Sequence, residues 1–360
     1  MKFKFKDRDR AEKLVQLISR KAPERRIKIV HVCGTHEVAI TENGLRSLLP
    51  DRIDIREGPG CPVCVTPTSD LDAAVQLAGE GAILTAFGDM MNVPGTAKSL
   101  EEIKSEGSDV RLVYSVSEAV RIAEKNENKQ VVFFSVGFET TTPMTAAVLS
   151  DDPPENFSIL PGNKLIPPAM ESLLELPNND IDGFIAPGHV STIIGVKPYE
   201  RLTKNHDVPI VVGGFEPLDV LYALALIIRQ ISRGKPKVEN GYERAVDYQG
   251  NEKSKQLIRE VFSKTDSTWR GIGTIPNSGL IPNEDYEKWN TRERFDLEPD
   301  RGIETQPNCL CPQVITARAT PGECELFREK CTPSSPIGPC MVGEEAMCNI
   351  WYRYGGRPKL

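Results

Sequence analysis

Val131-Val132-Phe133-Phe134-Ser135-Val136-Gly137-Phe138-Glu139-Thr140-Thr141-Thr142-Pro143 is the stretch that decides the fold. After Gln130 the run to Val136 is Val and Phe with a single Ser near its end, so 130–136 predicts a strand covered on both faces. Gly137 closes it, and a helix follows the Pro143 turn. The same grammar extends upstream. Strands at 27–32, 53–56, 82–87 and 110–114 are each followed by a helical pattern, at 37–49, 69–79, about 98–106 and 117–126. An amphipathic helix at 8–21, with Ala11, Leu14, Val15 and Ile18 on one face, precedes them. Downstream come a short strand at 158–160, a helix at 167–176, strands at 183–186 and 209–212, and an apolar helix at 218–232. Strands alternating with helices predict βαβ units and parallel sheets, an α/β protein.

Gly214-Phe215-Glu216 repeats Gly137-Phe138-Glu139, and the second half echoes the first. The expectation is two similar parallel-sheet α/β domains, 28–128 and 129–234, facing each other. After Gly234 the composition changes: 235–307 mixes a charged helix (252–263) with Gly/Pro/Asn-rich loops such as 271–282. The segment from Cys309 to the end holds six cysteines in largely irregular chain. Residues 235–360, with the helix 8–21, are therefore expected to form a third, irregular-to-helical domain held by a metal centre.

Five predicted strands end in glycine turns that carry a polar residue: Cys33 with His36, Asp89, Glu139, His189 and Glu216. In open α/β sheets the carboxyl ends of strands face the ligand crevice, which makes these residues candidates for catalysis. Each has a plainer reading. A histidine at a turn is often a satisfied structural residue, Glu139 and Glu216 suit helix caps, and Met90-Met91 suits packing.

Gly58-Pro59-Gly60-Cys61-Pro62-Val63-Cys64 places two thiols in a stiff turn ahead of a helix start at Thr66-Pro67-Thr68-Ser69-Asp70. A helix dipole there favours thiolate, so Cys61 and Cys64 can close a disulfide or grip a soft metal. Half a zinc site or two buried thiols are the alternatives; Pro62 lies at the second position of the motif, not the third, which argues against a thioredoxin.

The chain holds nine cysteines, three before residue 65 and six after residue 308. Cys324, Cys331, Cys340 and Cys348 are separated by six, eight and seven residues. Structural zinc usually has at least one short two-cysteine arm, and long even arms fit an iron–sulfur cluster better, with zinc and unrelated thiols as the other readings. Cys309-Leu310-Cys311 reads as incidental or as local redox chemistry.

Of the 360 residues, 39% are hydrophobic and 26% charged, with a net charge of −7 and no basic stripe, which argues against a nucleic-acid partner. The longest apolar run, 220–228, contains Tyr222 and stops at Arg229, far short of a membrane span. Residues 1–10 have no apolar core, so a secretory signal is not expected and the cytoplasm is.

Taken together, Cys33-Gly34-Thr35-His36-Glu37, the 58–64 motif, Phe87-Gly88-Asp89-Met90, Gly137-Phe138-Glu139-Thr140-Thr141, Pro187-Gly188-His189-Val190-Ser191, Gly214-Phe215-Glu216-Pro217 and the tail with Gly338-Pro339-Cys340-Met341-Val342 resemble the HypD family of hydrogenase-maturation proteins, nearly end to end. The resemblance implies two α/β domains and a [4Fe-4S] domain. It implies a part in assembling the Fe(CN)2CO group of [NiFe]-hydrogenases, in complex with a HypC-type chaperone and supplied with cyanide by a HypE-type donor. It further implies that Cys33 holds the iron with a chaperone cysteine, that Cys61 and Cys64 are a redox pair at the iron, and that Cys324, Cys331, Cys340 and Cys348 ligate the cluster. Two other functions stay open on the residues alone: an iron–sulfur-dependent protein thiol–disulfide reductase, and a scaffold whose last four cysteines hold zinc.

Overall fold

The structure, a computed structural model, describes residues 7–295, 297 and 306–356. The first six residues of the N-terminal stretch, and residues 296, 298–305 and 357–360 of the expected third domain, lie outside the described residues. Eleven strands are described: β1 (Ile27–His31), β2 (Ile53–Glu57), β3 (Ile83–Ala86), β4 (Val110–Leu112), β5 (Val131–Gly137), β6 (Phe157–Asn163), β7 (Gly183–Pro187), β8 (Ile210–Gly213), β9 (Val238–Asn240), β10 (Phe262–Trp269) and β11 (Gly273–Pro282). They form two parallel sheets, ordered β2-β1-β7-β8-β9 and β4-β3-β5-β6, and one antiparallel hairpin, β10-β11. All seven residues of β5 are buried, as its composition predicts.

Side-chain alternation gives each sheet two buried faces. Val30, Phe184, Ala186 and Val212 of the larger sheet share one contiguous core with Leu84, Ala86, Val132 and Phe134 of the smaller one. The helices Thr68–Gly79 and Ile166–Glu175, which carry the chain from one sheet to the other, add Leu71, Leu77, Met170 and Leu173 to that core. The outward residues Ile27, Ile29, Ile185 and Val211 meet the helix Pro217–Arg233, while Ile83, Val131 and Phe133 lie in a separate cluster on the far side.

The domain boundaries differ from the sequence expectation. Each sheet is not a contiguous half: the chain lays down β1 and β2, crosses to build all of β3–β6, then returns for β7–β9. Every βαβ unit has the same local pattern whichever sheet its strands join, so 28–128 and 129–234 could not be told from the interleaved solution by periodicity. The repeated Gly-Phe-Glu turns still fall one to each sheet, after β5 and β8.

The third domain also begins later than expected. Residues 238–240 are the edge strand β9. The helix Arg8–Lys21 packs through Ile18, with Leu14 and Val15, against the cluster of Val220, Leu224 and Ile227, so it belongs with the larger sheet and not with the cysteine-rich segment. Of residues 271–282, expected as loop, Gly273–Pro282 form β11. The glycines and Pro276 that suggest loop are accommodated by an irregular register after Thr265, and the paired hairpin lies against β6, where Leu165 N–H donates to Ser278 O at 2.8 Å.

Candidate thiol and metal site

Each parallel sheet has a point where its strand order reverses, between β1 and β7 in one and between β3 and β5 in the other. A ligand crevice is expected outside the carboxyl ends of those strands. Both sheets put theirs in the same place. One cavity of about 270 Å³ is lined by Cys33 beyond β1, His189 beyond β7, Phe87, Asp89 and Met90 beyond β3, and Gly137, Phe138, Thr140 and Thr141 around the end of β5. Gly60, Pro62 and Val63 complete one wall, and Glu345 of the C-terminal segment reaches in from outside.

Cys33 is the N-cap of the helix Gly34–Glu42 and is 7% exposed. Two neighbours explain why the local sequence is glycine-rich. A Cβ on Gly60 would overlap the backbone of Cys33, and one on Gly34 would overlap the carbonyl of Glu345. The cysteine turn and the C-terminal segment therefore both press directly on the Cys33 loop. Burial pushes the Cys33 thiol up to about 11, against the opposing pull of the His36 amide. A bound metal would displace that proton.

Cys61 and Cys64 sit behind this wall, not at the long helix. Cys61 is the N-cap of the short helix Pro62–Val65, and its Sγ accepts from the Cys64 N–H at 3.3 Å. The longer helix starts at Thr68 with Pro67 as its N-cap. The expected dipole-stabilised thiolate is overturned by burial: with 1% exposure, and with Cys61, Glu57 and Cys348 beside it, Cys64 is pushed well above the ordinary thiol range. Both are free thiols. On its far side Cys64 points its Sγ at Pro339 O, 4.0 Å away, next to Cys340.

Beyond lies a second, closed pocket lined by all six C-terminal cysteines with Leu310, Val314, Leu326, Phe327 and Met341. Cys340, expected as a cluster ligand, is disulfide-bonded to Cys311. The four free thiols are Cys309, Cys324, Cys331 and Cys348. Burial raises Cys348 well above its usual range, and Cys309, Cys331 and Cys324 add to the rise, so the four face one another. Cys309 and Cys340 both line the pocket beside Cys324, Cys331 and Cys348. Four thiols converging in an apolar pocket are a soft donor set of the kind iron–sulfur clusters use.

The other candidates divide. Asp89 and His189 are exposed on the cavity, and His189 stacks on Phe215 at 3.8 Å. His36 turns away: fully buried, it contacts Gly213 O through Nε2 at 3.3 Å, and burial lowers it to about 3. Glu216 N-caps the helix Pro217–Arg233, its N–H donating to Asp219 at 3.2 Å. Glu139 accepts from Ile166 N–H at 3.0 Å and lines a groove separate from the cavity; burial raises it to about 7.

Sequence reading missed a buried network behind Cys33. Glu37 accepts from Arg46 (2.6 and 2.7 Å), Thr41 (2.5 Å) and Trp351 Nε1 (2.8 Å), and contacts His31 Nε2 at 2.8 Å. The other ring nitrogen of His31 lies 3.1 Å from Cys33 O. Burial alone would raise Glu37, but Arg46 and these hydrogen bonds hold it below the usual carboxylate range. Glu57 was missed as well, although it carries the signal used for the others, a polar residue where a strand runs into a glycine turn.

The fold and site define a class: an α/β protein that sets a buried cysteine at a two-sheet crevice and links it, through a Cys-x-x-Cys turn, to a cysteine-rich tail. Comparison with known proteins narrows it. The family model described as "HypD: Hydrogenase formation hypA family" matches residues 9–355. A putative hydrogenase expression/formation protein of Methanocaldococcus jannaschii is 44% identical, over 97% of this chain and 98% of the relative. Hydrogenase expression/formation protein HupD of Azotobacter chroococcum is 42% identical (98% and 96%), and hydrogenase maturation factor HypD of Escherichia coli is 40% identical (92% and 90%). The chain belongs to the HypD family. Among solved structures, D-threo-3-hydroxyaspartate dehydratase from Delftia sp. HT23 aligns at 13% identity over 87% of this chain and 91% of that one, with a TM-score of 0.16. No described helix is long and apolar enough to cross a membrane.

Proposed function

We propose that this protein is a [NiFe]-hydrogenase maturation factor on which the Fe(CN)2CO group is assembled as cargo, together with a HypC-type chaperone and with cyanide from a HypE-type donor. The observation that carries the reading is Cys33: one cysteine at the cavity where the reversal points of two sheets coincide. Iron with strong-field ligands calls for soft thiolate donors and a site shielded from water. Cys33 supplies one such donor, and the partner chaperone is read as supplying a second. Asp89 and His189, also on the cavity, are placed to polarise or orient incoming ligands.

Cys61 and Cys64 are read as the redox pair rather than as iron ligands, since they lie behind the cavity wall. Cys324, Cys331 and Cys348, with Cys340 as the spacing has it or Cys309 as the fourth, are read as holding a [4Fe-4S] cluster, by donor type and convergence. Such a cluster, when bound, supplies single electrons. Cys311 and Cys340 line that pocket, and Cys340 follows Pro339, whose carbonyl lies 4.0 Å from Cys64 Sγ, which supports a thiol–disulfide exchange between the two pairs. The same adjacency supports a second reading, a free-standing thiol–disulfide reductase, which would reduce a generic protein disulfide with no chaperone present.

Anaerobic co-purification with the small chaperone, followed by infrared spectroscopy for CN and CO stretches, tests the first reading. Cys33→Ala should abolish iron on the complex while the visible absorption of the tail's cluster persists. Iron retained by the variant rejects Cys33 as the anchor.

A further inference from the structure

We propose that the groove lined by Glu139 is a second ligand site of this protein, for a small organic anion with an apolar body and a polar head. The groove is separate from the Cys33 cavity and measures about 800 Å³, within the range of small-molecule sites. Four elements wall it: the helix Ile166–Glu175, the chain from Ile194 into the helix Glu200–His206, the helix Glu252–Val261, and the β10-β11 hairpin. Walls on four elements suit a compact ligand better than an extended chain. Glu139, Leu165, Leu202 and Ile275 are the buried members of the lining and form its floor.

The floor carries the observation that calls for a ligand. Glu139 is 2% exposed, and its Oε1 accepts from Ile166 N–H at 3.0 Å. Its Oε2 has no hydrogen-bond partner among the described residues. A buried polar atom left unpaired is costly, and native structures pair nearly all of them. The polar head of a ligand lying on this floor can be the partner. Oε2 accepts from an N–H or O–H when the carboxyl is ionised, and donates to a carbonyl when it is protonated.

The rim sets the charge of the other end. Lys197, Arg201, Lys255, Arg259 and Lys264 line the groove, against Glu171 and Glu175. Arg201 is paired with Glu171, and Lys255 with Glu252 at 2.6 Å. Lys197 and Lys264 are exposed and make no ion pair among the described residues. A concave wall with surplus cations draws an anion. Pro167, Pro168, Ile194 and Ile258 are part-buried members of the lining, so the body joining the ligand's two ends meets apolar surface. Phe138 and Thr140, on either side of Glu139, line the Cys33 cavity. One loop therefore borders both sites, and an occupant of the groove rests against the back of the cavity wall.

The probes are anilinonaphthalene sulfonate and the neutral phenyl-naphthylamine, which has the same aromatic body and N–H but no sulfonate. Each is titrated by fluorescence into the full chain, purified anaerobically, at about pH 8, where Glu139 is mostly ionised. Hydrogen exchange read by mass spectrometry locates the bound probe. The sulfonate should saturate one site, slow exchange within 166–175, 194–202 and 252–264, and be displaced by indole acetate. Lys197→Glu combined with Lys264→Glu should weaken the sulfonate roughly tenfold and leave the neutral probe within about twofold. Glu139→Gln places an amide N–H where Oε2 stands and should weaken both probes by a similar factor, roughly tenfold. No saturable binding, or exchange slowed in 306–356 instead, overturns the site. Equal sulfonate affinity in the wild type and the charge-reversed chain overturns the anionic class. Unchanged binding of both probes by Glu139→Gln overturns the part of Glu139; should that variant not fold, the charge-reversed chain still decides on the site. Displacement of the sulfonate by a hexaglutamate peptide but not by indole acetate would make the occupant an acidic segment of a partner, and overturns the small ligand.

Discussion

The thiols of the sheet region and those of the tail are held by different means. Cys33 and Cys61 are each the first residue at a helix start, delivered by β1 and β2, and the Gly60 contact locks one loop onto the other. Their positions follow from two sheets with a shared buried core. The tail has no such frame. Cys311 opens a five-residue helix, Cys324 follows one 3-10 turn, Cys340 sits in another, and Cys331 holds an isolated bridge with Phe327. Its own apolar cluster is Val314, Ala319 and Met347, with Leu310 and Trp351 against it, while Cys311, Ile315, Ala317, Cys340 and Ala346 are laid onto the main core. The proposed sulfur ligation would add to that burial in offsetting the entropy of ordering so irregular a chain. The sheet region places its thiols through strands and helix starts; the tail places its own through short turns laid on that core, and the proposed ligation would fix them further.

The strongest break of that contrast is in the tail. Cys309→Ser and Cys324→Ser should lose the visible absorption of the proposed cluster and make residues 306–356 protease-sensitive, while the main unfolding transition stays within a few degrees. Cys340→Ala should keep the absorption and add one alkylatable thiol, Cys311. Absorption kept by Cys309→Ser and lost by Cys340→Ala would restore the ligand set expected from the spacing.

That expectation shows where sequence reading reaches its limit. The strands, their parallel sense and the gathering of Cys33, Asp89 and His189 were legible because apolar period and glycine turns are local signals. Sheet membership was not, since the crossing from β2 to β3 has the same helical connection as any other βαβ unit. The choice between Cys309 and Cys340 was not legible either. It depends on which sulfurs meet after an irregular chain folds, and no residue period records that. Glu139 and Glu216 share a tripeptide and a place after a strand, yet one is buried against the helix Ile166–Glu175 and the other caps its own helix. What differs is the third layer, which the turn sequence does not encode.

Glu139 gives the sheet region a pH signature that the tail should not alter. Its carboxyl is raised to about 7 when folded, chiefly by burial. The unfolded chain then holds fewer protons than the native one between the ordinary carboxylate value and 7, so stability falls as pH rises across that window and levels off above it. For this fully buried group the fall is on the order of 3 kcal/mol. Glu139→Gln should flatten it in urea titrations at pH 5, 6 and 7, with the cluster intact or removed. A slope that vanishes on cluster removal would mean that the two regions titrate as one.

The smallest effect concerns the contact joining them. Trp351 leaves the tail helix Met347–Tyr354 to donate to Glu37, with the Arg46 guanidinium 5.4 Å from its ring centre. Trp351→Phe keeps most of the apolar area and removes one donor to a buried, ionised carboxylate, a loss of about 1.5–3 kcal/mol. Glu37 would retain Arg46, Thr41 and His31, and through His31 the link to Cys33 O, so the sheet region should hold its melting temperature. The loss should fall on docking of the tail, read as faster proteolysis within 306–356 and faster alkylation of Cys64, which the tail covers at Pro339. If the variant instead lowers the stability of both regions by the same amount, the distinction between a preformed half and a ligand-dependent half fails, because the two would then unfold as a single cooperative unit.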